Sequence, residues 1–292
     1  MTLVRAPVRL LGVPYDSGHR DRRMGAGPTA LAAAGAADRL RAAGHEVIDE
    51  VVEPASPWNA ELRTAFELHR LVAAAATEAL AVGQVPVLLA GNCNTTLGVL
   101  AALTGTARRI GLVWLDAHGD FNTPETDTSG FLDGQGLAIA VGRCWTALAA
   151  GISGFRPLPE RDVLLVGARD LTEAQLQVLH DSGVTWLPPA RARVLRAVED
   201  ALDALATRVD AVHFHVDLDV HDPSIAPANT YAADDGLTAE QVRAVLAATA
   251  ARMPVVSGAL ASWDPTCDVE GRMLATALDL LEAVAGAAVP LR

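Results

Sequence analysis

The sequence predicts an α/β fold in which helices cover both faces of a mostly parallel sheet. Short apolar runs alternate with helical segments of roughly 10 to 20 residues along the whole chain. Hydrophobic residues make up 51% of the 292 residues, which is enough to build one large core. Because no linker, repeat or low-complexity segment divides the pattern, residues 1–292 are expected to form a single domain.

The strands are predicted where short apolar runs lie between turn residues. They cover residues 8–14, 45–52, 86–90, 110–115, 163–168, 184–187, 211–216 and 254–261. The helices are predicted from apolar spacing, with Pro or Thr at the start of several and Gly after the end of others. They cover residues 28–43, 57–80, 97–103, 137–141, 173–180, 192–208, 239–251 and 268–285. The polar loop at 122–134 is long for a compact domain, so it is predicted to be functional.

Composition excludes several classes of function. A net charge of −12 argues against nucleic acid or an anionic membrane as the main partner. All 23 basic residues are Arg, which excludes Schiff-base chemistry on a lysine and a Walker-type phosphate loop. We expect a cytoplasmic protein, because the chain shows no signal-peptide pattern, no long apolar run and only three cysteines.

The most informative stretch follows the predicted strand at 110–115. Asp116, His118 and Asp120 lie at alternate positions where this strand ends. Side chains repeat every two residues in an extended chain, so the three are expected to point to one side. Buried charges without partners are costly, and a divalent cation is the simplest partner for two carboxylates and an imidazole. A turn with surface acids is the alternative interpretation, and this stretch alone does not decide between them.

A second acidic pair follows the strand at 211–216. Asp217 and Asp219 repeat the alternate spacing, and ligands of parallel sheets bind beyond the carboxyl ends of the strands. Four carboxylates and one imidazole suit a pair of divalent ions, and mixed oxygen and nitrogen ligands favour Mn²⁺. Two neighbouring ions lower the pKa of water, so the combined pattern predicts metal-assisted hydrolysis.

These stretches resemble the central motifs of the ureohydrolase family, which contains the arginases and agmatinases. The matching segments are Asp116-Ala-His118-Gly-Asp120-Phe-Asn122 with Ser129-Gly, His215-Val-Asp217-Leu-Asp219-Val-His-Asp222-Pro223, Gly-Ala-Gly-Pro28 and Ser-Trp-Asp264-Pro265. The resemblance implies a three-layer α/β/α fold with a sheet of about eight strands. It also implies two Mn²⁺ per chain, hydrolysis of a guanidino group, and a homotrimer or homohexamer.

The family's motifs also imply roles for the acidic residues. Asp116 and Asp217 would bridge the two ions. Asp120 would bind one ion, and His118 with Asp219 would bind the other.

One metal-binding position departs from the family. The family's metal-ligating histidine is replaced by Cys93, within Ala90-Gly-Asn-Cys93-Asn94. Its sulfur lies closer to the backbone than an imidazole nitrogen would, so it either misses the ion or binds a softer metal as a thiolate. The ion shared with Asp120 is therefore expected to bind weakly. An inert, buried cysteine is the alternative.

Further departures concern the substrate. Asp133 replaces the histidine that transfers a proton in arginases, and Ser262 replaces the glutamate that holds the guanidinium. Beside cations Asp133 would be ionised, acting as a base or as a hydrogen-bond acceptor for substrate. Together with Asp120 and His118 it is a candidate catalytic residue.

Of the positions that bind the amino-acid end of the substrate in arginases, some are matched in this chain and others are not. Asn122 and Ser129 match residues that bind an α-carboxylate in arginases. After Asp170, a further candidate for substrate binding, Thr172 and Gln175 replace acids that help to hold an α-ammonium group.

The departures favour a substrate less basic than arginine. N-omega-hydroxy-L-arginine has a less basic guanidine and a better leaving group, so it needs less anionic recognition and less general-acid help. Its hydrolysis would give ornithine and hydroxyurea, and the Asn-Cys-Asn variant resembles that of arginase-like hydroxyarginine hydrolases. Arginine, agmatine or guanidino acids are alternative substrates, and a non-catalytic protein that keeps the fold is a further alternative.

Overall fold

The computed structural model describes residues 5–58, 60–127 and 129–292. Its strands are β1 (Val8–Val13), β2 (Tyr15–Asp16), β3 (His19–Arg20), β4 (Val47–Val51), β5 (Val85–Ala90), β6 (Ile110–Leu115), β7 (Val163–Val166), β8 (Thr185–Leu187), β9 (Ala211–Asp217) and β10 (Val255–Ala261). Eight of them form a parallel sheet in the order β4-β1-β5-β10-β9-β6-β7-β8, and β2 and β3 form a separate antiparallel hairpin. The predicted fold class is confirmed.

Helices cover both faces of this sheet. They are α1 (Ala26–Ala33), α2 (Ala36–Ala42), α3 (Glu61–Ala81), α4 (Thr96–Thr104), α5 (Gly136–Ala140), α6 (Thr146–Ala149), α7 (Glu173–His180), α8 (Pro189–Ala192), α9 (Leu195–Ala206), α10 (Ala239–Ala250) and α11 (Arg272–Ala287). One apolar core lies between the sheet and α1, α2, α9, α10 and α11, and a second lies beneath α3, α4 and α5. No helix in the described part of the chain is long and apolar enough to cross a membrane.

The alternation of strand side chains separates the two cores. On β6, Val113 and Leu115 pack in the first core, whereas Leu112 and Trp114 pack in the second. This is the two-residue period expected of a strand that is buried on both faces.

The four central strands end at one level. Leu115 pairs with Val216, and Ala261 pairs with both Asp217 and Ala90. The segments that follow β5, β6, β9 and β10 therefore start from the same edge of the sheet. This register brings together residues that lie far apart in the sequence.

Several predicted boundaries differ from the structure. The helix predicted at 28–43 is broken between α1 and α2. Gly35 there has a φ of 84°, in the left-handed region that residues with a side chain rarely adopt. The helix predicted at 192–208 is α9, which begins at Leu195, and the short helix α8 before it was not predicted. The helix predicted from residue 268 begins at Arg272. The predicted start of the helix at 57–80 includes Asn59, which lies outside the described residues; α3 itself begins at Glu61.

Gly91, the first residue after β5, tests how tightly this edge is packed. A Cβ at this position would lie 2.2 Å from the Tyr15 carbonyl oxygen and 2.6 Å from the Gly25 Cα. Gly91→Ala should lower the free energy of unfolding by about 1–3 kcal/mol, as overpacking usually does. Gly12→Ala is the control, because its Cβ would meet nothing nearer than the Glu50 carbonyl oxygen at 3.8 Å. Equal unfolding midpoints for the two variants in urea would contradict the prediction.

Candidate metal centre

A cavity of about 160 Å³ opens at the carboxyl edge of the sheet. The predicted site residues that line it are His118, Asp120, Asn122, Asp133, Asp170, Asp217, Asp219 and Ser262. Asp116 and Cys93 are fully buried and contact these residues from below. A larger cavity of about 1050 Å³ lies near the amino ends of the strands, and none of the predicted site residues lines it.

The first group of candidate metal ligands contains Asp116, His118 and Asp219. One ligand atom from each lies within 4.8 Å of the other two. His118 Nδ1 lies 3.3 Å from an oxygen of Asp116 and 3.3 Å from an oxygen of Asp219. The imidazole therefore stands between two buried carboxylates, an arrangement of oxygen and nitrogen donors that could hold a divalent cation.

The second group contains Cys93, Asp116 and Asp120, again within 4.8 Å of one another. Asp116 thus belongs to both groups, as a bridging ligand would. Cys93 Sγ lies near enough to the carboxylates to share an ion with them. A thiol among oxygen donors favours a softer metal than the first group does.

Asp217 lies next to both groups but belongs to neither by this distance. Its Oδ1 accepts a hydrogen bond from the Asp219 backbone N at 2.8 Å, and its Oδ2 accepts one from Cys93 Sγ at 3.1 Å. The thiol therefore binds one oxygen of Asp217, the residue to which the resemblance assigns a metal bridge.

Backbone geometry fixes these side chains where the strands end. Asp116 Oδ1 accepts a hydrogen bond from the His118 backbone N at 2.7 Å, and its Oδ2 accepts one from Trp114 Nε1 at 2.9 Å. Asp120 has a φ of 46°, in the left-handed region, and its carbonyl accepts a hydrogen bond from the Ala138 backbone N. The turn after β6 is therefore locked at both ends.

The carboxylates are out of water and close to each other. Burial, reinforced by neighbouring carboxylates, raises the pKa of Asp116, Asp120 and Asp217. Against the effect of burial, His118 lowers the pKa of Asp219, and Asp219 raises the pKa of His118. A cation among these groups would offset the remaining repulsion, so the donor set fits divalent metal ions.

A buried chain of hydrogen bonds supports Cys93. Its thiol donates to Asp217, so it accepts from His215 Nε2 at 3.1 Å, and His215 Nδ1 in turn accepts from the Thr96 hydroxyl at 2.7 Å. Trp114 stacks on the His215 ring with centroids 3.8 Å apart. Burial raises the pKa of the Cys93 thiol, and the Asp217 charge adds to the effect.

The sequence pattern did not identify His215 as part of this site. Its spacing carried a signal, since it lies two residues before Asp217 on β9 and so faces the same side of the sheet.

The mouth of the cavity is built around Asn122. Its Oδ1 accepts a hydrogen bond from Gln175 Nε2 at 3.1 Å, and Gln175 Oε1 accepts one from the Thr172 backbone N in the capping box of α7. Asp170 is exposed, with Oδ2 3.7 Å from His118 Nε2. Ser129 does not line the cavity, and its hydroxyl donates to Asp127 at 2.6 Å.

The other wall of the cavity holds Asp133 and Ser262. Asp133 Oδ1 accepts a hydrogen bond from the Asn94 backbone N at 2.8 Å. Burial raises the pKa of Asp133 to about 8, although backbone donors of Asn94 and Cys93 act in the opposite direction. The Ser262 hydroxyl lies 3.3 Å from Cys93 Sγ, so this wall pairs one carboxyl group with neutral donors.

A parallel α/β sheet with buried carboxylates, an imidazole and a thiol at its carboxyl edge is typical of metal-dependent α/β enzymes. The family model for the Arginase family matches residues 6–286, and the chain belongs to that family. The family's enzymes are metal-dependent amidinohydrolases, which act on carbon–nitrogen bonds other than peptide bonds, and this chain is an enzyme of that kind. The resemblance found in the sequence is confirmed.

Individual relatives span nearly the whole chain. Arginase from Bacillus caldovelox is 29% identical, over 96% of this chain and 98% of its own length. The native structure of B. caldovelox arginase superposes with a TM-score of 0.86 at 28% identity, covering 96% of this chain and 98% of that one. N(omega)-hydroxy-L-arginine amidinohydrolase from Streptomyces lavendulae is 33% identical, over 86% of each chain.

The buried carboxyl groups predict a pH dependence of stability. Asp133 has a pKa of about 8 in the folded chain against 3.8 ordinarily, so between these pH values the folded state holds a proton that the unfolded state has lost. With a chelator present, the free energy of unfolding should therefore fall as the pH rises from about 5 to about 8. Asp133→Asn should reduce this fall by at least about 1 kcal/mol. Urea unfolding at a series of pH values measures the free energy of unfolding. If it falls equally in the parent chain and in Asp133→Asn, the raised pKa of Asp133 is contradicted.

Proposed function

We propose that this chain hydrolyses N-omega-hydroxy-L-arginine to ornithine and hydroxyurea, using two Mn²⁺ ions. The observation that carries the choice of substrate is the uncharged Ser262 side chain on the cavity wall. A hydroxyl and a thiol lie 3.3 Å apart there, next to the buried carboxylates. A hydroxylated guanidine is less basic than arginine and needs no additional carboxylate on that wall.

A second observation supports the same substrate. The relative from Streptomyces lavendulae, which is 33% identical over 86% of each chain, is named for hydrolysis of this compound.

The metal ligands in this proposal are the two groups that share Asp116. Asp116, His118 and Asp219 would hold one ion, and Asp120 with Asp116 and Cys93 would hold the other, beside Asp217. When bound, the ions supply Lewis-acid charge that makes water nucleophilic at neutral pH.

The chain's own residues then transfer protons and orient the substrate. Asp133 lines the cavity, and beside bound cations it would be ionised. It would then accept a proton from the attacking water or a hydrogen bond from the N-hydroxyguanidine. Water adds to the guanidino carbon and the bond from that carbon to the ornithine nitrogen breaks. The departing nitrogen keeps the electron pair and takes up the proton. His118 and Asp120 border the same space.

The amino-acid end of the substrate lies at the mouth. The Asn122 side chain, which is hydrogen-bonded to Gln175, binds the α-carboxylate. The Asp170 carboxylate forms an ion pair with the α-ammonium group. The role of Ser129 stays a prediction, because its hydroxyl is bonded to Asp127.

The setting and assembly are also proposals. The cysteines of the chain are all unpaired, which agrees with a reducing compartment such as the cytoplasm. The homotrimer or homohexamer stays a prediction.

A substrate comparison tests the proposal. The Mn²⁺-loaded protein should hydrolyse N-omega-hydroxy-L-arginine with a kcat/KM at least about tenfold above that for arginine, because Ser262 offers no carboxylate to bind the more basic guanidinium. Release of ornithine, urea and hydroxyurea measures the two reactions. Asp219→Asn is the matched control and should abolish both reactions, because it removes a metal ligand. Faster release of urea from arginine would overturn the choice of substrate.

A further inference from the structure

Asn94 makes two hydrogen bonds to Asp133 from behind the cavity wall. The backbone N and the side-chain Nδ2 of Asn94 both donate to Asp133 Oδ1, at 2.8 Å and 3.0 Å. Asn94 itself is fully buried. Two donors that converge on one oxygen fix the direction of the carboxylate, which borders the cavity.

A histidine on α3 stands behind Asn94. His69 Nε2 lies 2.9 Å from Asn94 Oδ1, and the whole side chain is buried against the edge of the Phe66 ring. The backbone here has little room to move, since a Cβ at Gly98 of α4 would lie 2.7 Å from the His69 carbonyl oxygen. The imidazole is therefore held at a fixed distance from the loop after β5.

The direction of each hydrogen bond follows from the carboxylate. Asn94 turns its NH₂ group to Asp133, so its carbonyl oxygen faces His69 and requires a donor there. The His69 proton must then lie on Nε2, and Nδ1 is unprotonated. Nδ1 has no hydrogen-bond partner among the described residues. Burial lowers the pKa of His69 to about 4, so the ring is neutral at ordinary pH.

We propose that His69 is a positioning residue for the reaction, which orients the Asp133 carboxylate through Asn94. The inference rests on the proposed role of Asp133 in the hydrolysis. His69 touches neither substrate nor reacting atoms. It fixes the rotation of the Asn94 amide, and that amide fixes the carboxylate. Without the His69 donor, the amide loses the bond that sets its direction, and the carboxylate samples orientations that do not face the guanidino carbon productively.

Three variants separate positioning from packing. His69→Leu removes the donor, His69→Gln keeps an N–H donor at the end of a side chain of similar reach, and Thr64→Val is the control. Thr64 lies on the same helix, is buried and makes no hydrogen bond through its hydroxyl among the described residues. His69→Leu should lower kcat by at least about tenfold with little change in KM, His69→Gln should recover most of the loss, and Thr64→Val should match the parent chain.

The same substitutions in an Asp133→Asn background show whether His69 acts through Asp133. Residues that act as one unit are non-additive, so His69→Leu should cost less than about twofold there. The proposal would be overturned if His69→Leu lowered kcat equally in the parent and Asp133→Asn chains. A His69→Gln variant with a kcat as low as that of His69→Leu would also overturn it.

A second readout is independent of turnover. Nitrogen NMR of the ¹⁵N-histidine-labelled chain should show His69, identified by its loss in His69→Gln, as the Nε2–H tautomer. The Nε2–H proton should shift in Asn94→Ala. A His69 protonated on Nδ1 would overturn the positioning chain. If neither guanidino substrate is turned over but the Nε2–H tautomer is present, the proposed function fails and the hydrogen-bonded chain remains.

Discussion

The rest of the site depends on one constraint, the burial of several carboxylates at a single edge of the sheet. Asp116 is fully buried, and Asp217 and Asp219 are at most 5% exposed. Such groups are stable only if positive charge or hydrogen-bond donors balance them. Two of them share the His118 imidazole, and backbone N–H groups bind further oxygens. What these partners leave uncompensated is the negative charge that divalent ions would neutralise, which links folding at this edge to metal binding.

The neutral residues around this charge set the chemistry. Cys93 is hydrogen-bonded to His215 and lies 3.3 Å from the Ser262 hydroxyl, so the altered metal-ligand position contacts the position where the family's glutamate is replaced by an uncharged residue. Asp133 lies on the same wall of the cavity as Ser262, supported by Asn94. The departures from the family pattern therefore form one connected region rather than isolated changes. Within this region, the replacement of a carboxylate by Ser262 is the physical reason for preferring a weakly basic guanidine.

Much of the fold and part of the candidate site could be predicted from the sequence, because both follow from strand geometry. Parallel strands end at one edge, and alternate positions share a side, so the placement of Asp116, His118 and Asp219 followed from local pattern alone. The pairing of His69 with Asn94 had no such signal, because it depends on how α3 packs on the loop after β5. The break at Gly35 was missed because apolar spacing continues across it. Local rules thus indicated the candidate ligands, whereas the residues that support them depend on contacts between distant elements.

The central claim is that both donor groups share Asp116. Calorimetric titration of the metal-free chain with Mn²⁺ tests it most directly. The parent chain should bind two ions, Asp120→Asn should weaken one of them, and Asp116→Asn should weaken both, each by about tenfold or more. Two ions bound by Asp116→Asn with the affinities of the parent chain would contradict the account.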